Sequence, residues 1–362
     1  MKTLFDIRFG VVAKALIALC LTSAFAFGAN SAAEEAFKRG VAAHEQGNLQ
    51  EAIKQYTQAI EIDPNYATAY GVRGLAYHKS GDADKAIADY TQAIKIDPKL
   101  AQAYYNRGLA YDSLGDKSKA IADYTQAIKI DLSYADAYYN RGVIYGNLGD
   151  KSKAIADYTQ AIKIDPKDAM AYYNRGIAYD DLGDRKQAIA DYTQAIKVDP
   201  NYAKAYYNRG LAYDSLGDKS KAIADYTQAI KIDPKKTEAY YNRGLAYDSL
   251  GDKSKAIADY TQAIKIDPKG ARAYYNRGIT YYDLGDRKQA IADYTQAIKV
   301  DPNYAKAYYN RGIACADLGD LNKAITDWTQ AIKIDPSFAS AYNNRGSAYA
   351  NLGDYKSATK WF

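Results

Sequence analysis

Eight asparagines stand 34 residues apart: Asn106, Asn140, Asn174, Asn208, Asn242, Asn276, Asn310 and Asn344. The first seven lie in the phrase AYYNRG, which begins at 103, and the eighth lies in AYNNRG at 341. A carboxamide carries two N–H donors and a carbonyl acceptor, enough to hold a peptide group by both its C=O and its N–H. Asn is a poor helix former, so helix propensity does not explain the row. It could grip the backbone of an extended peptide, at about 1 kcal/mol net per bond. Equally, each Asn could bond to the neighbouring copy of the phrase.

The residue before each Asn is aromatic along most of the row: Tyr105, Tyr139, Tyr173, Tyr207, Tyr241, Tyr275 and Tyr309, then Asn343. These rings could stack on the side chains of a bound peptide or pack between neighbouring copies. The second position of each copy varies freely (Gln102, Asp136, Met170, Lys204, Glu238, Arg272, Lys306, Ser340) and would add local preference. The arginine has a structural reading. An Asp recurs 16 residues after it, as in Arg107/Asp123, Arg141/Asp157 and Arg175/Asp191, whereas Arg39 faces Gln55 at that spacing. An Arg–Asp pair within or between copies is expected.

Catalytic chemistry finds little material. The only histidines are His44 and His78, and beyond the N-terminal segment the only cysteine is Cys315. No zinc site of the usual type can be assembled from these. No nucleophile elbow, phosphate loop or dinucleotide fingerprint is present. Cys315 fills a slot that is Tyr in most copies and reads as a small buried hydrophobe.

The elements that position the row follow from 101–134. Tyr104, Gly108 and Tyr111 share one helical face, and Ala120, Ile121, Tyr124, Ala127 and Ile128 form another apolar stripe. Between them, Gly115 can end the first helix in the left-handed conformation and Asp116 can cap the second. Ile96-Asp97-Pro98 and its copies then force a turn. Each copy is therefore an antiparallel helix pair, here A and B. A lone pair cannot bury its stripe, but stacked pairs can.

This pattern resembles the tetratricopeptide-repeat (TPR) family, whose 34-residue unit carries W-x2-L-G-x2-Y, A-x3-F and P. Here the slots read Tyr104-x2-Arg107-Gly108-x2-Tyr111 and Ala120-x3-Tyr124, and the proline slot is Leu132 in this copy. The resemblance implies an all-α, right-handed α-solenoid of tandem helix-turn-helix units. Nine complete repeats would occupy 33–338 and a partial tenth 339–362, about one superhelical turn in all. It also implies a groove lined by the A helices. A similar asparagine ladder lines the repeats of O-linked N-acetylglucosamine transferase, which implies backbone capture by the asparagines here. The two-carboxylate clamp of chaperone-binding TPR proteins is not reproduced by Lys204, Arg272 and Lys306.

Residues 1–28 differ in kind. Lys2, Arg8 and Lys14 precede the apolar ALIALCLTSAFAF, the layout of a secretory signal peptide cleaved somewhere from Ala26 to Ser31. Leu19 before Cys20 disfavours lipidation, and an uncleaved anchor is the alternative. The net charge is +5, or +3 without that segment, which itself carries +2. Lys and Asp alternate downstream, a mixed-sign surface that does not suit nucleic acid. No later apolar run approaches a membrane span.

The expected function is a non-catalytic scaffold that binds protein or peptide partners, exported to the periplasm or beyond, with no cofactor and no metal. The segment 181–210 recurs unchanged at 283–312, and copied surfaces favour sequence-tolerant binding. Two alternatives stand beside it. One is a substrate-docking arm of a larger enzyme such as a glycosyltransferase, since the chain stops inside a B helix. The other is a self-assembling array.

Overall fold

The computed structural model describes residues 31–359. The expected signal segment and the terminal Trp361-Phe362 lie outside the described residues. The described residues contain twenty helices and no strand. They divide into two compact units that meet in sequence between Gly183 and Asp184.

In the first unit the helices are α1 (Ser31–Glu45), α2 (Leu49–Ile62), α3 (Ala67–Lys79), α4 (Ala83–Ile96), α5 (Ala101–Ser113), α6 (Lys117–Ile130), α7 (Ala135–Asn147), α8 (Lys151–Ile164) and α9 (Ala169–Asp181). In the second they are α10 (Arg185–Val198), α11 (Ala203–Ser215), α12 (Lys219–Ile232), α13 (Thr237–Ser249), α14 (Lys253–Ile266), α15 (Ala271–Asp283), α16 (Arg287–Val300), α17 (Ala305–Asp317), α18 (Leu321–Ile334), α19 (Ala339–Asn351) and α20 (Tyr355–Thr359). Odd-numbered helices are the A helices and even-numbered ones the B helices. Within each unit every helix packs on its predecessor and its successor, the stacked helix-pair architecture expected from the spacing.

The turn between A and B follows the residues that code for it. Gly115 has φ +82°, a conformation open to glycine without strain. Its N–H donates to Asp112 O at 3.0 Å, and the Asp116 N–H donates to Tyr111 O at 2.9 Å. These two bonds close a Schellman turn on α5. Asp116 Oδ1 then accepts from Lys119 N at 3.1 Å and caps α6.

Close approach of A and B rests on a glycine facing a tyrosine. Gly108 packs on Tyr124, and a Cβ there would lie 2.7 Å from Tyr124 Cε1. Gly210 on Tyr226 and Gly244 on Tyr260 repeat that distance, while Gly312 meets Trp328. The facing rings are fully buried at Tyr124, Tyr226 and Tyr260. Cys315 is buried among Trp328, Ile325 and Ala348, as its slot suggests.

The first repeats carry a titratable joint. His44 is buried at the end of α1, and its Nε2 lies 2.9 Å from Lys79 Nζ on α3. Burial, with the Lys79 charge added, lowers its pKa to about 4. The folded state therefore holds His44 neutral where the unfolded chain begins to protonate it, near pH 6.5. The stability contributed by the neutral ring is complete above pH 6.5 and is lost as pH falls towards 4. At full extent the loss is about 3 kcal/mol. Amide exchange in α1–α3 should accelerate over that window, and His44→Gln should flatten the dependence.

Candidate functional site: the tyrosine–asparagine ladder

The repeated phrase places its residues on two surfaces of helix A. Arginine and the first tyrosine face helix B. Arg107 Nε and Nη2 donate to Asp123 at 2.8 Å each, a bidentate pair inside one repeat. The same geometry returns at Arg141–Asp157, Arg209–Asp225, Arg243–Asp259, Arg277–Asp293 and Arg311–Asp327, with shortest contacts of 2.6 or 2.7 Å. Hydrogen bonding to Asp123 raises the Arg107 pKa further. Tyr104 and Tyr111 flank that guanidinium at 5.7 and 6.0 Å.

The third guanidinium contact was not legible in the pairing of Arg and Asp. Arg107 Nη1 donates to Thr91 Oγ1 at 3.0 Å, on helix B of the preceding repeat. Thr91 in turn donates to Ile87 O at 2.7 Å, so its hydroxyl is spent in both directions. Arg73, Arg107, Arg141, Arg209, Arg243, Arg277 and Arg311 thus each tie one A helix to two B helices. The constant 16-residue gap from Thr to Arg was the available signal. In the first repeat Arg39 Nε donates to Gln55 Oε1 at 2.9 Å, a neutral substitute.

The second tyrosine and the asparagine form the other surface, and they meet across repeats. Asn140 Nδ2 donates to the Tyr105 hydroxyl at 2.9 Å, and Asn174 Nδ2 to Tyr139 at 2.8 Å. In the second unit Asn242 donates to Tyr207, Asn276 to Tyr241, Asn310 to Tyr275 and Asn344 to Tyr309, at 2.7–3.1 Å. The partner lies 35 residues back, so every bond joins adjacent A helices. Asn208 and Tyr173 are half-buried.

Of the two roles open to the second tyrosines, stacking on a ligand or packing between repeats, the contacts present are packing contacts, and only Tyr105 is fully buried. Tyr105 is 3% exposed, with its ring against Tyr124 at 5.7 Å and Tyr134 at 4.8 Å. Tyr139, Tyr207, Tyr241 and Tyr275 likewise pack on the B-helix tyrosine of their own repeat at 5.8–6.1 Å. Tyr309 packs on Phe338 at 4.7 Å. An aromatic ring needs apolar contact along its body and a partner for its hydroxyl, and the neighbouring repeat supplies both. Asn106 is corrected as an open rung: it is 2% exposed and accepts from Gln102 Nε2 at 3.3 Å.

The remaining asparagines are half-buried. For Asn140, Asn276 and Asn310, the bond to tyrosine occupies one amide N–H. The carbonyl oxygen and the second N–H stay unspent, held in fixed orientation by that bond. Fixed amides at regular spacing are preorganised for a peptide backbone. Both roles weighed for the asparagine therefore fit one side chain.

Among the described residues no group of His, Cys, Asp and Glu could hold a metal ion. No described helix is long and apolar enough to cross a membrane.

Family models place the chain. The TPR repeat model matches 40–81, 74–115 and 314–353. Tetratricopeptide repeat models match 101–134, 135–168, 237–269 and 271–304, and further ones match 173–237 and 293–326. The chain belongs to the tetratricopeptide-repeat family. That membership supports a protein-interaction role for the TPR array and points away from catalysis.

Solved TPR structures include the C-terminal part of a TPR repeat-containing protein from Cytophaga hutchinsonii. It is 22% identical with TM-score 0.58, covering 66% of this chain and 97% of that one, and it shows the fold. MamA is 32% identical over 46% of this chain and 96% of its own, with TM-score 0.43. YrrB, described as a TPR protein with an unusual peptide-binding site, is 24% identical over 52% and 97%, with TM-score 0.48. No curated protein matches the chain at a significant level.

Proposed function

We propose that this TPR array is a non-catalytic scaffold that captures extended peptide segments by their backbone. The observation that carries the reading is the half-exposed amides of Asn242, Asn276 and Asn310, each oriented by a tyrosine of the preceding repeat. The rungs would hold peptide C=O and N–H groups, and many weak equivalent contacts would add through avidity. Variable residues such as Lys204, Glu238, Arg272 and Lys306 would tune local preference. The signal-like N-terminal segment supports export to the periplasm or beyond, with a cell-envelope partner.

Replacing Asn242, Asn276 and Asn310 together with alanine tests this. The probe is a fluorescein-labelled extended dodecapeptide of Ser and Ala, read by anisotropy on the full chain. Affinity should fall at least tenfold, since each lost bond is worth about 1 kcal/mol. The same triple change also removes three bonds to tyrosine, so the melting temperature should fall modestly. Wild-type affinity in the triple variant would remove the proposal.

A further inference from the structure

One slot near the end of helix A varies along the array, with His44, His78, Tyr282, Ala316 and Ala350 among its occupants. The slot held by Asp112, Asp180, Asp214 and Asp248 is glycine at 146. At Asp214 and Asp248 the carboxylate reaches the lysine five residues on, Lys219 at 2.8 Å and Lys253 at 3.1 Å. Gly146 has no side chain to offer. Lys151 keeps two contacts that its counterparts also make: it donates to the Gly146 carbonyl at 3.1 Å, as Lys219 does to the Asp214 carbonyl, and pairs with Asp181 at 2.6 Å, as Lys253 does with Asp283.

At this slot a half-open cavity of about 160 Å³ lies between α7, α8 and α9, its lining including Val143, Gly146, Lys151, Tyr158, Asn174 and Ile177. Tyr158 registers the opening. It is 4% exposed, whereas the equivalent Tyr124, Tyr226 and Tyr260 are fully covered. Asn174, a rung of the ladder, stands on the cavity wall. A peptide held by its backbone at that rung would present a side chain to the opening.

We infer that this cavity is a side-chain pocket which sets the register of a peptide held on the ladder, and that its occupant is an uncharged aliphatic or thioether side chain such as Leu or Met. The inference rests on the peptide-binding reading above. The walls are apolar at Val143 and Ile177, and the lysine charge is already answered by Asp181. A charged side chain would lose its water and gain no unpaired opposite charge. Backbone capture alone reads no sequence, so one such pocket converts a tolerant groove into one with a preferred alignment.

The test uses the same dodecapeptide host with one central guest residue: Gly, Leu, Met, Glu or Lys. The Leu and Met guests should bind at least tenfold more tightly than the Gly guest, and Glu and Lys no more tightly than Gly. Gly146→Asp should erase that preference, because it rebuilds the Asp–Lys pair present at Asp214 and Lys219. A Cβ at Gly146 meets Tyr158 Oη at 3.7 Å and Ala154 Cβ at 3.8 Å, ordinary contacts, so the variant should fold. Its melting temperature should hold or rise, since a glycine leaves a helix interior.

The guest series on the wild-type chain needs no variant at all. Equal affinity for every guest, or a preference that survives Gly146→Asp, overturns the pocket and leaves backbone capture standing. Failure of every guest peptide to bind overturns both.

Discussion

Gly244→Leu is expected to destabilise the repeat formed by α13 and α14 by about 3 kcal/mol, the upper part of the range for overpacking a core. A Cβ at 244 would already sit 2.7 Å from Tyr260 Cε1 and 2.9 Å from Cδ1. The Tyr260 ring is completely buried and has nowhere to retreat. The two helices must therefore separate, and the separation exposes Ala256 and Ala263, both wholly covered in the native state. Stability in a repeat array is a sum of local and nearest-neighbour terms. Amide exchange should accordingly accelerate in α13 and α14 and much less in α19. Gly71→Ala is the contrast, because no atom lies within 4 Å of a Cβ there. That change should be neutral or stabilising by about 0.5–1 kcal/mol. Equal cost at the two positions would contradict the glycine–tyrosine account.

Arg243→Leu is the second large effect, at about 3–5 kcal/mol, because it strands a buried carboxylate. The Asp259 side chain is 7% exposed and receives both Arg243 Nε and Nη2 at 2.7 Å. Thr227 also loses the donor that reaches it from the next repeat. The double variant Arg243→Leu with Asp259→Leu should recover most of the loss, since an apolar pair of similar volume often replaces a buried ion pair without net cost. Chemical denaturation of the single and double variants gives the coupling directly. A double variant as unstable as the single would show that the arginine acts through Thr227 and the flanking tyrosines instead of through Asp259.

Much of this was legible in the residues. The glycine's place on the packing face of helix A follows from the helical period, though its partner is Tyr124, and the Arg–Asp pair follows from a fixed gap of 16. Both lie within one copy, where periodicity decides which side chains face each other. The ladder bond was not readable in the same way. In identical copies, an Asn facing a Tyr of its own repeat and one facing a Tyr of the previous repeat look alike. Only the stacking geometry chooses, and it pairs Asn140 with Tyr105 of the previous repeat. The same stacking turns the second tyrosine inward, because the N-cap residue of the next A helix, Tyr134 or Tyr304, closes over its ring. The pocket had a sequence signal that is plain once the slot matters: a glycine at 146 where Asp stands in neighbouring copies.

Backbone capture by the oriented amides is tested most directly by changing the peptide backbone. An ester in place of one central amide removes a single N–H donor and keeps every side chain. Wild-type protein should bind the ester peptide about fivefold more weakly, the equivalent of about 1 kcal/mol. The Asn242/Asn276/Asn310→Ala variant should bind ester and amide peptides alike, because the acceptor that read the N–H is gone. Equal affinity of the wild-type chain for the two peptides would contradict the account.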